Sequence, residues 1–170
     1  MAAVHVSGWQ TAYAGLMPQP YLDGLDVAER AANWRQGLSR SRDRDPILVV
    51  TVDAAVAGFA AFGPQRDDEG QEGELYAIYV DPVRWRMGLG ARLLTAAHGG
   101  LMDLGYQDAL LWVLPGNARA RHFYERNDWT PDGADRVEEI FGVTVSEIRY
   151  RRSFSAAGSA GDDAPTPLPC

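Results

Sequence analysis

The sequence predicts a single α/β domain built on a mixed central sheet of about six strands. Short apolar, β-branched runs alternate along the chain with segments of helical period. Two of those runs, residues 74–80 and 108–114, are apolar at nearly every position, the pattern of strands covered on both faces. The first of the two leads through a glycine-bearing loop into a helix, which places a ligand-binding turn at the middle of the sheet.

Val4, Trp9, Tyr13 and Leu16 recur at helical spacing, so residues 2–16 read as a helix that Pro18 and Pro20 end. Asp26 caps a second helix, with Glu29 completing a capping box and Ala31, Trp34 and Leu38 along its length. Residues 46–52 (PILVVTV) predict a strand, 53–55 a turn and 56–62 its hairpin partner. A polar loop, 64–73, precedes the strand 74–80, which should be central, and Asp81-Pro82 stops it. After a loop at 83–87, a helix spans about 88–104 on an apolar stripe of Leu89, Leu93, Ala97, Leu101 and Leu104, with Gly105 as its stop. Gly99 and Gly100 inside it each cost about 1 kcal/mol relative to alanine; close packing or a kink would account for them. Residues 108–114 form a buried strand, Asn117 caps a helix through Arg126, and 137–141 and 143–150 close the sheet as a pair. The domain therefore covers 1–152. Residues 153–170 are rich in small residues and proline and read as a disordered tail.

Lys and Arg number 16 and Asp and Glu 23, a net charge of −7. That balance lacks the basic footprint of a nucleic-acid binder and gives no attraction to an anionic membrane surface. The single cysteine, Cys170, excludes an internal disulfide and a cysteine zinc site; His5, His98 and His122 show no ligand spacing, so no metal is expected. No basic segment followed by an apolar run marks a signal peptide. The stretch 46–63 is too short and too interrupted, by Asp53 and Gly58, to span a bilayer. A cytoplasmic protein is expected.

The informative segment is YVDPVRWRMGLGARLL, residues 79–94. Unpaired N–H groups and the dipole at a helix start favour anions, and Gly88 and Gly90 permit close approach of a phosphate. The P-loop pattern fails, because Ala91 and Arg92 follow the second glycine. The dinucleotide fingerprint fails as well: position 93 is Leu, and seven residues lie between Val80 and Gly88.

Taken with a second segment, these residues resemble the GCN5-related N-acetyltransferase (GNAT) superfamily. Its acetyl-CoA motif, V-x-P followed by Q/R-x-x-G-x-G/A and a helix, is matched by Val80-Asp-Pro82 and Trp85-Arg-Met-Gly88-Leu-Gly90-Ala. Its second motif, an apolar strand and N-x-x-A-x-x-F-Y-E, is matched by LLWVLPG and then Asn117, Ala120, Phe123, Tyr124 and Glu125. The resemblance covers roughly residues 4–152. It implies a sheet splayed around an acetyl-CoA cleft and flanked by helices, with the family's first strand missing here. Trp85 departs from the family's Gln or Arg, whose task would pass to Arg84 or Arg86.

By the same resemblance, acetyl-CoA is the co-substrate and no metal is needed. The backbone of Ile78, Tyr79 and Val80 would follow the pantetheine arm, and that of Arg86, Met87, Gly88, Leu89, Gly90 and Ala91 the pyrophosphate. Asn117 would bond the arm, or serve only as an N-cap. Tyr124, seven residues on and so on the same helix face, would protonate the leaving thiolate as general acid. Glu74 matches the position of a general base in part of the family, with a water relay through Glu72 as the alternative. Trp112 stands where other relatives place one. Trp9, Tyr13, Tyr21 and Trp34 are core residues or acceptor-pocket walls, and Arg119, Arg121 and Arg126 a solvated face or phosphate partners. The expected reaction is acetyl transfer to a primary amine by direct attack in a ternary complex. The expected acceptor is a small cationic molecule, drawn by Glu72, Glu74 and Asp81. Alternatives are a protein N-terminal or lysine acetyltransferase and a non-catalytic acyl-CoA sensor; a homodimer is allowed.

Overall fold

The computed structural model describes residues 1–40, 45–66, 72–140 and 142–154. Helix α1 (Ala2–Ala12) is shorter than the periodicity suggested, because the chain leaves it at Tyr13 and turns through Gly15 at φ +76°. Pro18 and Pro20 therefore do not end it, contrary to the expectation. They open a further short helix, α2 (Gln19–Asp23), for which the fixed proline φ is preset. Helix α3 (Val27–Arg40) carries the expected cap, with Asp26 Oδ1 accepting from the Glu29 N–H at 2.8 Å.

Strands β1 (Ile47–Val52) and β2 (Ala55–Pro64) form the predicted hairpin. Its two turn residues, Asp53 and Ala54, both sit at positive φ, +50° and +63°, the backbone that a two-residue hairpin demands. Then follow β3 (Gly73–Val80), α4 (Leu89–Asp103), β4 (Asp108–Val113), α5 (Ala118–Glu125), β5 (Thr130–Ile140) and β6 (Val143–Ser153). The polar loop expected at 64–73 falls in part, and the tail expected at 153–170 from 155 onward, outside the described residues; Ser153 still belongs to β6 and Phe154 packs against the core. Strand β5 begins seven residues before the predicted 137. Its first half, TPDGADR, is polar and shifts register between Pro131 and Asp135, so neither alternation nor β-branching announced it.

The sheet order is β1-β2-β3-β4-β6-β5, antiparallel throughout except for the parallel β3–β4 pair. Helix α4 buries Leu89, Leu93, Leu94, Ala97 and Leu101, each leucine contributing about 1.5–3 kcal/mol. Gly100 is explained by close packing: a Cβ there would lie 2.4 Å from the Phe62 ring. Nothing in the structure explains Gly99. The main core joins α4 to Phe62, Leu111, Trp129 and Tyr150, and a smaller cluster joins α1 and α2 to the sheet through Trp9, Leu22, Leu114 and Val145.

Candidate active site

The β3–β4 ladder is confined to Gly73 opposite Ala109 and Glu74 opposite Leu110. Beyond it a cleft of about 320 Å³ opens between the carboxyl end of β3, the start of α4 and one face of α5. Successive peptide units point to opposite sides of a strand. The Asp81 N–H is bonded to Ala57 of β2 at 2.8 Å, so the N–H and C=O of Val80 face the gap. The Trp85 indole N–H takes that carbonyl at 2.8 Å, which leaves the Val80 N–H directed at the cleft.

Asp81 caps the 3-10 turn at Pro82–Arg84, and Gly88, at φ +76°, caps α4. The Arg92 N–H makes the first α4 bond, to Gly88 O at 3.1 Å; the amides of Leu89, Gly90 and Ala91 precede any helical acceptor. Three guanidiniums, Arg84, Arg86 and Arg119, line the same cleft. Arg119 stacks 3.0 Å above the Trp85 ring centre, and burial and then Arg86 lower its pKa. Trp85 thus pins the turn and holds a cation in place rather than supplying one. Arg121 turns away, to the Tyr150 hydroxyl and Pro115 O, and Arg126 is not in the wall.

Ile78, Tyr79, Val80, Arg86, Gly88, Leu89, Gly90, Ala91 and Asn117 all line the cleft. Met87 does not; its side chain projects outward, 58% exposed. Asn117 combines both readings: Oδ1 accepts from the Ala120 N–H at 3.1 Å as an N-cap, and its amide NH₂ has no partner among the described residues. Tyr124 enters the cleft from the same face of α5, with no hydrogen bond to its hydroxyl among the described residues. Burial, and secondarily Tyr13, raise its pKa, so the phenol stays protonated.

Glu74 is not brought to the cleft. It is 1% exposed, with its carboxylate bound by Arg66 at 2.6 Å. Glu72 is paired with Arg151, and Asp81 is spent as a cap. The three acids expected to draw a cation are therefore engaged elsewhere. A second cavity, about 830 Å³, lies beyond Tyr79, which lines both spaces; Trp9 and Trp34 stand in its wall. Tyr13 places its hydroxyl 3.4 Å from that of Tyr79, to which the Trp9 indole also donates at 2.8 Å.

Sequence reasoning missed Gly8 and Ala12 in the wall of the first cleft; two small residues four apart on α1 were the signal. A Cβ on Gly8 would lie 3.2 Å from the Tyr79 ring. It also missed Phe123 as a wall residue, and the second cavity's His5, Arg136 and Glu147. Among the described residues, no group of three or more His, Cys, Asp or Glu is placed to hold a metal, and no helix is long and apolar enough to cross a membrane.

The family model described as "Acetyltransferase (GNAT) family" matches residues 9–129. The chain is 35% identical over 151 residues to "Uncharacterized N-acetyltransferase YuaI" of Bacillus subtilis (strain 168), covering 87% of this chain and 83% of that protein. It is 29% identical over 160 residues to "Probable N-acetyltransferase Rv2775" of Mycobacterium tuberculosis, covering 92% and 88%. Among solved structures, the PaiA N-acetyltransferase from Thermoplasma acidophilum, in complex with coenzyme A, superimposes with a TM-score of 0.66 at 19% identity over 90% of each chain.

Proposed function

The chain belongs to the GNAT family of acetyltransferases, and from that membership we propose that it transfers the acetyl group of acetyl-CoA to the primary amine of a small molecule within a ternary complex. The observation that supports it is a convergence in one cleft. Helix-start amides, three guanidiniums, a gap-facing strand N–H and a buried neutral phenol all line the same space.

These residues fit the coenzyme chemically. The amides of Leu89, Gly90 and Ala91, with the α4 dipole, suit a pyrophosphate. Arg84, Arg86 and Arg119 balance its charge. The Asn117 amide and the open flank of β3 at Ile78–Val80 offer donors and acceptors to an amide-bearing arm. When bound there, acetyl-CoA supplies an activated acyl group. The Val80 N–H is then the donor for the carbonyl oxygen as negative charge builds on it, a role in which one lost donor costs roughly 10²–10³ in kcat. The Tyr124 hydroxyl donates its proton to the departing sulfur. Transfer is direct and needs no enzyme nucleophile: the neutral amine nitrogen attacks the thioester carbon, the C–N bond forms and the C–S bond breaks. An acceptor that binds as its ammonium first gives one proton to solvent on the acceptor side, and the proton released after attack follows the same way; Glu74, bound to Arg66 outside the cleft, does not take it.

The test is turnover of acetyl-CoA with a panel of primary amines that includes cationic, neutral and peptide N-terminal members. It is read by thiol release and by the mass of the acetylated product. Acetylation of a small amine with stoichiometric thiol supports this function. Exclusive turnover of peptides, or coenzyme binding without any turnover, overturns it.

A further inference from the structure

We infer that Glu147, in the second cavity, holds the ammonium group of the acceptor, and that the acceptor carries this group on a flat or apolar body. This rests on the acetyl transfer proposed above and names its acceptor chemistry.

Glu147 lies on β6 with its side chain 8% exposed. Arg136 places both its Nε, at 2.9 Å, and its Nη2, at 2.8 Å, on the same oxygen, Oε2. The other oxygen, Oε1, has no partner among the described residues. That oxygen is not fully enclosed, so it keeps its capacity to accept, and an ammonium brings three donors. Arg136 cannot neutralise its surroundings alone, because the same Nη2 also pairs with Glu138 at 3.2 Å, and Glu139 lines the cavity too. The other guanidinium in the wall, Arg66, is bound to Glu74. His5 adds no charge: burial and Arg30 lower its pKa to about 3, and its Nδ1 accepts from the Trp34 indole at 3.2 Å. The cavity wall is therefore short of positive charge.

Trp9, Trp34, Tyr76 and Trp112 add aromatic faces to the wall, beside Leu38, Ile47 and a further acid, Asp45. Such faces attract cations and stack on flat groups. Arg136 lies 4.3 Å over the Trp112 ring and Arg149 5.7 Å from it, which fixes Arg136 and through it the direction of Oε1. Glu147 is near enough to Tyr13 to help raise its pKa, and Tyr13 touches Tyr79, the wall shared with the coenzyme cleft. The carboxylate thus sits toward the side where an amine would meet an acyl group.

The chain has five tryptophans, and their indole N–H signals in ¹⁵N-labelled protein separate the two spaces. Titration with 2-phenylethylamine should shift Trp9, Trp34 and Trp112 while leaving Trp85 in place; coenzyme A should shift Trp85. The neutral isostere 2-phenylethanol should bind at least tenfold more weakly. Glu147→Gln should weaken the amine at least tenfold with coenzyme A affinity unchanged, and Glu147→Asp, which keeps the charge, should retain part of the affinity. No binding of the amine, equal binding of amine and alcohol, a shift of Trp85 alone, or wild-type amine affinity in folded Glu147→Gln would each overturn the assignment. If Glu147→Gln does not fold, the amine-against-alcohol comparison on the wild type decides it. Amine binding with these properties but no acetylation refutes the transfer and leaves the Glu147 site standing. Acetylation of the amine with equal efficiency by wild type and Glu147→Gln refutes the site and leaves the transfer standing.

Discussion

Arg66 encloses the carboxylate of Glu74: its backbone N–H reaches Oε2 at 2.9 Å, and its Nε and Nη2 reach Oε1 at 3.1 and 2.6 Å. A carboxylate held this way at the start of a central strand ties the preceding loop to the sheet. Glu74→Gln should lower the unfolding free energy by about 1–3 kcal/mol. Arg66, whose side chain is 53% exposed, can return to water. Because the carboxylate lies outside the cleft, kcat should stay within a few-fold of wild type, against the roughly 10²–10⁴-fold loss that follows removal of a general base. Urea melts and steady-state kinetics on one preparation separate the two outcomes.

Gly90 tests the coenzyme cradle more cleanly than Gly88. A side chain at Gly88 would be strained by its φ of +76° before any ligand arrived. At Gly90 an added Cβ makes ordinary contact with Phe123 at 3.5 Å, so Gly90→Val should fold and project its methyls into the cleft. Acetyl-CoA affinity should fall at least tenfold, about 1.4 kcal/mol, by calorimetry. An unchanged affinity would remove the helix start from the binding site.

Tyr124→Phe keeps the ring against Trp129 and Tyr150 and deletes only the hydroxyl. With the phenol as proton donor, kcat should drop roughly 10²–10⁴-fold while acetyl-CoA affinity barely moves. Retained kcat would make it a packing residue.

Two histidines share one arrangement, each accepting an indole N–H: His5 from Trp34 at 3.2 Å, His98 from Trp129 at 3.1 Å. Protonation would break both bonds, and burial lowers the two pKa values to about 3 and about 4. Unfolded histidine titrates near 6.5, so their contribution is complete above that pH and is lost as pH falls toward the folded values. Between pH 7 and 5 each should remove about 1–2 kcal/mol of stability, allowing for partial exposure of the rings. His98→Gln, which can still accept from Trp129, should flatten that slope in urea titrations at stepped pH.

Legibility in the sequence followed the physical signal available at each position. The glycine-start helix and the Asn117–Tyr124 face were readable because backbone conformation and helical period leave marks on residue type and spacing. Glu74 was misleading because its position in the strand says nothing about where Arg66 lies; the antiparallel pairing of β2 with β3 brings them together. Glu147 carried no mark at all. Its environment is assembled from β5, α1 and the far side of the sheet, and β5 itself was half hidden by its polar, edge-strand composition. Trp85 broke the motif by residue type, yet the structure gives it a task of its own, on Val80 and Arg119.

The short β3–β4 ladder also bears on how the chain avoids sticking to its neighbours. Where the ladder stops, β3 presents an unpaired flank, the kind of template on which stray strands add and aggregates grow. Proteins usually blunt such flanks at the border of a sheet with charge or proline. Here the flank is sheltered in the interior, walled by Gly8 and Ala12 of α1, by Leu89–Ala91 of α4 and by Ala120 and Phe123 of α5. An invading strand would need about 4.8 Å beside its partner and about 10 Å above and below for its side chains. Walls from three helices stand where those side chains would go. The most adhesive line of backbone thus suits a thin amide-bearing thread better than another strand.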